Sequence, residues 1–197
     1  MMTALLIHSC TSNSEPAVLI PSNPLEVRQE FTATVRIDAE PGGKKFQGVW
    51  LERDDGEQWV IDYRPRDCWR PLEGLQVHAI GSTYMPHGQA ISATHFEVSM
   101  LQVIDPAPEA QLVAVGPEQT MTGTLQTAAG AAGSKSEGSS WQVFKSDDGP
   151  SWALYNPSAL GTTAGSVTLT GRTVELSPYS AHRAGPQLCV LTVKATP

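Results

Sequence analysis

The chain is short of the features that usually announce a function. No apolar run approaches the ~20 residues that a membrane-spanning helix needs, which excludes such a helix from these 197 residues. A cationic surplus is missing too: 13 Lys and Arg stand against 20 Asp and Glu, for a net charge of −7. Phosphate backbones and anionic lipid attract the opposite sign, so a partner of that kind would need a local basic patch. With charged residues at only 17% and apolar residues at 40%, the composition is that of a globular protein and not of a disordered one. Catalytic signatures are lacking: there is no Gly-x-Ser-x-Gly elbow, phosphate loop, Gly-x-Gly-x-x-Gly or His-Glu-x-x-His. Nor does any Cys-x-x-Cys or His-x-x-x-His pair begin a zinc site. The sequence therefore predicts no metal and no cofactor, and leaves enzyme chemistry without a motif.

Cysteine is scarce as well. Three are present, at 10, 68 and 189, so at least one is unpaired within a monomer. Cys68 and Cys189 lie in different halves of the chain and would bridge them if oxidised. Cys10 follows "LLIHS" and precedes the polar stretch "TSNSEPA". Ile7-His8-Ser9-Cys10 resembles the lipobox of bacterial lipoproteins, in which a small residue precedes the cysteine that is lipidated. The resemblance implies lipidation at Cys10, a polar tether after it, and a periplasmic or outer-membrane-anchored location. Ahead of Cys10 there is no Lys or Arg and only a four-residue apolar run. A secretory signal has a charged start and ~7–15 apolar residues, so the segment reads as the tail of a signal that begins upstream of Met1. The alternative is a cytoplasmic protein with a frayed N-terminus.

What the chain does contain is strand alternation. After a short apolar run at 17–20, Phe31, Ala33, Val35 and Ile37 share one face while Thr32, Thr34, Arg36 and Asp38 share the other. This is the period of a half-buried strand. Further strands are predicted over 46–52, 59–63, 75–85 and 94–104. Turns are predicted at "PGGK" and at "RDDGEQ", where an Asp-Gly hairpin needs positive φ. Pro65 and Pro71 forbid a long helix in 64–74 but allow a single turn.

The second half repeats this plan. "FTATVRI" at 31–37 matches "MTGTLQT" at 121–127, and "DDGEQW" at 54–59 matches "DDGPSW" at 147–152. "VHAIG" at 77–81 matches "VTLTG" at 167–171, and "SMLQV" at 99–103 matches "CVLTV" at 189–193. The spacing changes only inside turns, which is what a duplicated domain leaves behind. The expected organisation is a leader and tether over 1–27, one unit over 28–105, a linker over 106–111 and a second unit over 112–197. Residues 128–140, rich in Gly, Ala and Ser, are expected to be a mobile hairpin loop.

About five strands per copy, with a kink at Gly81 or Gly171, suit a small closed barrel. The pattern resembles the OB-fold, a five-stranded barrel that often carries a helix between strands three and four. Here that helix is reduced to one turn, "RPRDCW" in one copy and "NPSAL" in the other. The fold class expected is all-β, as two tandem OB-like barrels. Immunoglobulin-like sandwiches are the alternative and need about seven strands each. The last strand of each copy carries apolar residues on both faces, as in Val98 and Met100 against Leu101 and Val103, so it is expected to pack beyond its own barrel.

Most of the chemistry on offer lies in "YRPRDCWR". Arg64, Arg66 and Arg70 beside Tyr63 and Trp69 suit a carboxylate, phosphate or sugar ligand. With His87 in a nearby loop, Arg64, Arg66, Trp69 and Arg70 form the candidate ligand site; the bland alternative pairs these arginines with Asp62, Asp67 and Glu73. Asp54, Asp55, Asp147 and Asp148 read as turn residues, and Trp59 and Trp152 as core anchors. His78, His87 and His95 lie in one region, and Ser180 and His182 share a loop without an orienting acid. The function expected is a non-catalytic binding or scaffolding module of the bacterial cell envelope. Its partner would be a protein, a glycan or a small anionic ligand, and its membrane contact a lipid at Cys10. The alternatives are a cytoplasmic protein binding single-stranded nucleic acid and a small hydrolase.

Overall fold

The computed structural model describes residues 27–37, 48–87, 91–156, 160, 165–179 and 186–196. Cys10, the apolar run at 17–20, the "PGGK" turn, Ser180 and His182 lie outside them. The architecture is all-β. The first five strands are β1 (Arg28–Ile37), β2 (Val49–Arg53), β3 (Gln58–Asp62), β4 (Gln76–Tyr84) and β5 (Thr94–Val103). β1 pairs antiparallel with β2 and β4, β2 with β3, and β4 with β5, and a parallel β3–β5 pair closes the ring. The result is a closed five-stranded barrel, consistent with an OB-like one.

β5 also pairs with β6 (Leu112–Ala129), which carries the sheet into β7 (Ser140–Ser146), β8 (Ser151–Leu154), β9 (Gly165–Leu176) and β10 (Gln187–Ala195). Within these five, β6 pairs with β7 and β9, β7 with β8, and β9 with β10, and β8 runs parallel to β10. No helix among the described residues is long and apolar enough to cross a membrane. β6 starts well before the 121–127 strand read from sequence, because bulges after Leu112 and Val115 break its alternation. The β6–β7 hairpin extends to Ala129 and Ser140, and the connection beyond them is bonded internally, with Gly133 N–H donating to Glu137 Oε2 at 2.8 Å.

The alternating face of β1 points inward. Ala33 and Val35 join Val49, Leu51, Trp59, Val77, Ala79, Phe96, Val98 and Leu101 in the first core. Trp59 is the anchor its position implied, with its ring 4.8 Å from Phe31 and 5.5 Å from Phe96. Trp152 packs partly buried against a second core built on Leu125, Phe144, Val167, Leu169 and Leu188.

Two local readings change in the structure. The turn at "RDDGEQ" has positive φ at Gly56 alone, +82°. Gly56 N–H donates to Arg53 O, and Glu57 N–H to Asp55 Oδ1. A type I turn closed by a left-handed glycine fits this, where two positive-φ residues were expected. At "DDGP" Gly149 is absent from the positive-φ residues, because the following Pro150 restricts the residue before it to extended backbone. The two hairpins share letters and differ in geometry.

The second change concerns β5. Val98 and Leu101 would face opposite ways on an unbroken strand. The β4–β5 register jumps from Ile80↔Met100 to Gly81↔Val98, which leaves Ser99 as an extra residue. Val98 and Leu101 therefore both point inward, and Met100 stands 44% exposed. The apparent two-faced burial of β5 is a bulge. On β10 the two-faced reading holds, since Leu188 and Val190 lie in the second core and Cys189 in the first.

Gly81 allows the barrel to bend at this bulge. A Cβ there would strike the Glu97 carbonyl oxygen and come within 2.7 Å of the Phe96 ring. At Gly171, beside the β9–β10 bulge, the nearest atom would be Cys189 O at 2.8 Å. Gly81→Ala is therefore expected to cost about 3 kcal/mol and Gly171→Ala about 1 kcal/mol. Urea denaturation of the two variants checks the order, and equal losses would count against it.

Candidate functional site

Residues 62–72 run from the end of β3 into a single 3-10 turn, Arg70–Leu72. Asp62 folds this segment back on itself. Its Oδ1 accepts from the Arg64 backbone N–H at 3.1 Å, an Asx-type turn. Its Oδ2 accepts from Trp69 Nε1 at 2.8 Å and lies 3.1 Å from Arg66 Nε, an ion pair by distance but off line for a hydrogen bond. With both oxygens engaged, Asp62 is the scaffold of the segment.

On the outward side, Tyr63 meets His95. The phenol oxygen lies 2.6 Å from His95 Nε2, and His95 Nδ1 lies 2.9 Å from the Ala93 carbonyl oxygen. A carbonyl only accepts, so Nδ1 carries a hydrogen, and in the neutral ring Nε2 accepts from the Tyr63 hydroxyl. His95 is 1% exposed: β3 and β4 pair with the two edges of β5 there, and the Tyr63 and Tyr84 rings lie against the imidazole. Tyr84 sits edge-on to the same imidazole, ring centres 5.6 Å apart. Burial pushes its phenol above the ordinary tyrosine range, helped by nearby Tyr63, Glu97 and Asp62. Around this buried histidine the two tyrosines remain 41% and 37% exposed and Met85 66% exposed. The arrangement is a pair of partly exposed tyrosine rings against a buried imidazole, with the Tyr63 hydroxyl on its Nε2.

On the inward side, the segment plugs into the last five strands. Trp69 is fully buried, with the Arg172 guanidinium 5.1 Å above its ring. Arg172 Nη1 donates to the carbonyls of Val98 and Gly116, both at 3.2 Å, and Nη2 lies 3.5 Å from Glu118. Asn156, also buried, accepts from Val190 N–H at 2.7 Å, donates to Val190 O, and donates to Asp67 Oδ2 at 3.2 Å. That pattern fixes its amide orientation. Cys68 and Cys189 are both completely buried. Both are free thiols; the influence of the neighbouring Cys68 side chain, together with burial and Asp67, raises the Cys189 thiol far above its usual range, and the Cys68 backbone offsets part of this. Tyr155 closes the edge, donating to Gln111 Oε1; burial pushes its phenol up, with Cys189, Asp67 and Cys68 adding to it.

Of the five residues expected to bind ligand, Arg64 and Arg70 are exposed and Arg66 is half-buried on Asp62. His87 is exposed in the β4–β5 connection, three residues beyond Tyr84. Trp69 is a correction: placed in the candidate ligand site on sequence, it is closed to solvent, enclosed by the cation of Arg172 and the apolar core. Arg66 takes the ion pair that the bland reading foresaw. The histidines do not converge, since His78 pairs with Glu30 at 3.0 Å on the sheet surface. Among the described residues no three His, Cys, Asp or Glu side chains gather as metal ligands.

Sequence reasoning passed over Tyr84, Met85 and the role of His95. Each sits at a strand end, where alternation stops carrying information. Arg172 and Asn156 act wholly through contacts distant in sequence, and no local pattern marks them.

The three raised acids set a direction for stability against pH. Cys189, Tyr84 and Tyr155 hold their protons more tightly folded than unfolded. Their contribution is complete below the ordinary thiol and phenol ranges, about 8.5 and 10, and is lost as pH rises above them. Stability of the reduced protein is expected to decline above about pH 9, by at most about 1.4 kcal/mol per pH unit for the buried Cys189. Melting curves between pH 7 and pH 10 read this, and Cys189→Ser is expected to weaken the early part of the decline. A flat profile would contradict it.

No protein-family model, curated protein or solved structure matches this chain.

Proposed function

We propose that the chain is a non-catalytic binding module of two OB-like barrels related by duplication, which captures its ligand on the Tyr63, Tyr84 and Met85 surface of the first. The duplication reading is supported by the strand pairings: β6–β10 pair among themselves in the same scheme as β1–β5, parallel third-to-fifth contact included. Gly81 on β4 and Gly171 on β9 both adjoin bulges, as copies of one bend would. In this reading residues 28–105 and 112–197 are the two units and 106–111 joins them. The location that goes with it is the bacterial cell envelope, with Cys10 as the lipid-bearing residue.

The observation that carries the binding reading is a buried histidine holding one tyrosine by its hydroxyl and facing the edge of a second, while both rings stay open to solvent. Barrels of this kind recognise ligands at the loop joining strands four and five, and Tyr84, Met85 and His87 belong to that end. Exposed rings offer stacking to a sugar or other flat group. Arg64 and Arg70 add exposed guanidinium donors for a carboxylate or phosphate. Trp69 serves from beneath, by tying down Asp62 and with it the Tyr63–Arg64 backbone. The ligand class that fits is a glycan or small ring compound bearing an anionic group. Single-stranded nucleic acid meets the same rings but opposes a net charge of −7.

An array of acidic and neutral glycans, with single-stranded DNA at low salt as a further probe, tests this. Acidic glycans are expected to be retained, and the double variant Y63A/Y84A to bind at least about tenfold more weakly, the equivalent of ~1.4 kcal/mol. Retention of DNA alone would favour the nucleic-acid reading. Unchanged retention by Y63A/Y84A would discard the site.

A further inference from the structure

We propose that Cys68 and Cys189 are the two halves of a cystine that joins the first barrel covalently to the last five strands. This inference does not rest on the binding reading, because both cysteines are buried and take no part in the exposed tyrosine surface.

The geometry comes from three neighbouring contacts. Asn156 binds Asp67 and the Val190 backbone at once. Trp69 lies under Arg172, and Arg172 is the register partner of Cys189 in the β9–β10 ladder. Cys68 falls between Asp67 and Trp69, so it is carried to Cys189 by contacts on both sides of it. The consecutive residues 67–69 thus face the Val190, Cys189 and Arg172 group as one block. Both thiols are 0% exposed and belong to the same apolar cluster. Two cysteines from different halves of the chain, meeting in a region held on either side by a buried Asn and a buried Arg, are placed as disulfide partners are. A buried cysteine packing as a small hydrophobe is the competing role, and it requires no second sulfur at the contact.

The chemistry is thiol–disulfide exchange with a low-molecular-weight disulfide such as oxidised glutathione. One cysteine thiolate attacks that disulfide, forming a mixed disulfide and releasing one glutathione thiolate. The second cysteine thiolate attacks the protein sulfur of the mixed disulfide. The Cys68–Cys189 bond forms, and the second glutathione leaves. The two protein thiols are oxidised by two electrons, the glutathione disulfide is reduced by two, and the two protons end on the two glutathione thiols. Burial of both thiols makes the closed protein slow to react, so the bond forms as the chain folds or when the junction opens.

The test uses the full chain, and in parallel the full chain with Cys10→Ser so that this pair has no competitor. Each is equilibrated with oxidised and reduced glutathione in moderate urea, returned to buffer, alkylated under denaturing conditions, and mapped by mass spectrometry. The expected product is a monomer two hydrogens lighter than the reduced chain, with peptides containing Cys68 and Cys189 linked. Closing a loop of about 120 residues is expected to raise the melting temperature by roughly 10 °C over the reduced form. The single variants Cys68→Ser and Cys189→Ser are expected to show neither the link nor the shift. Should either variant fail to fold, the oxidised and reduced forms of the unaltered pair still give the comparison. Full alkylation of both cysteines after oxidation, linkage to Cys10 or between molecules, or a cystine that leaves the melting temperature unchanged or lower would each overturn the proposal.

Discussion

Arg172 is the charge around which the molecule is assembled. A guanidinium only 5% exposed would cost several kcal/mol if left without partners. Its partners come from three separate pieces of chain: the Val98 carbonyl of β5, the Gly116 carbonyl and Glu118 carboxylate of β6, and the Trp69 ring of the segment after β3. Displacing any of the three takes a partner from a cation that is closed to water. The buried charge therefore acts less as a source of raw stability than as a condition on geometry, since its contacts form only when β5, β6, β9 and the segment after β3 are all in place, and Nε has no hydrogen-bond partner even then. Asn156 imposes a second condition of the same kind, joining Asp67 to the backbone of β10.

That constraint explains how one short segment serves two purposes. Residues 62–72 are pinned at Asp62, which takes the Trp69 indole N–H on one oxygen and the Arg64 backbone on the other. Pulling Cys68, Trp69 and Leu72 into the apolar core leaves Tyr63, Arg64 and Arg70 on the outside. The exposed platform is thus a consequence of the buried plug. Tyr63 is further steadied by a histidine whose tautomer is set by the Ala93 carbonyl. A ring held from behind by a buried partner loses little freedom when something stacks on it, which is the property a recognition surface needs.

The strands were legible in the sequence wherever one face is buried and the other wet. Phe31 to Ile37 announced β1, and Gly81 announced the bend of β4, because alternation and a glycine in a strand have direct physical meanings. Legibility failed where tertiary contact decides. Trp69 sits among arginines in the sequence and looks like a stacking ring beside them, yet the cation over its face is Arg172, from the far half of the chain. Val98 and Leu101 suggested a strand buried on both sides, because a bulge at Ser99 is invisible in the letters. The two "DDG" turns looked equivalent, and Pro150 makes them different. The Tyr63, Tyr84 and His95 cluster could have been approached only by pairing the end of β3 with the start of β5, a parallel contact that local pattern does not reveal.

The central claim is that the buried Arg172 and Asn156 contacts make the first barrel and the last five strands a single cooperative unit. Urea unfolding of the reduced protein, followed at once by far-ultraviolet circular dichroism and by tryptophan fluorescence, measures this most directly. Trp50, Trp59 and Trp69 report on the first half, and Trp141 and Trp152 on the second. One transition, with the same midpoint by both probes, is the expected result. Two separated transitions, one for each half, would contradict the claim.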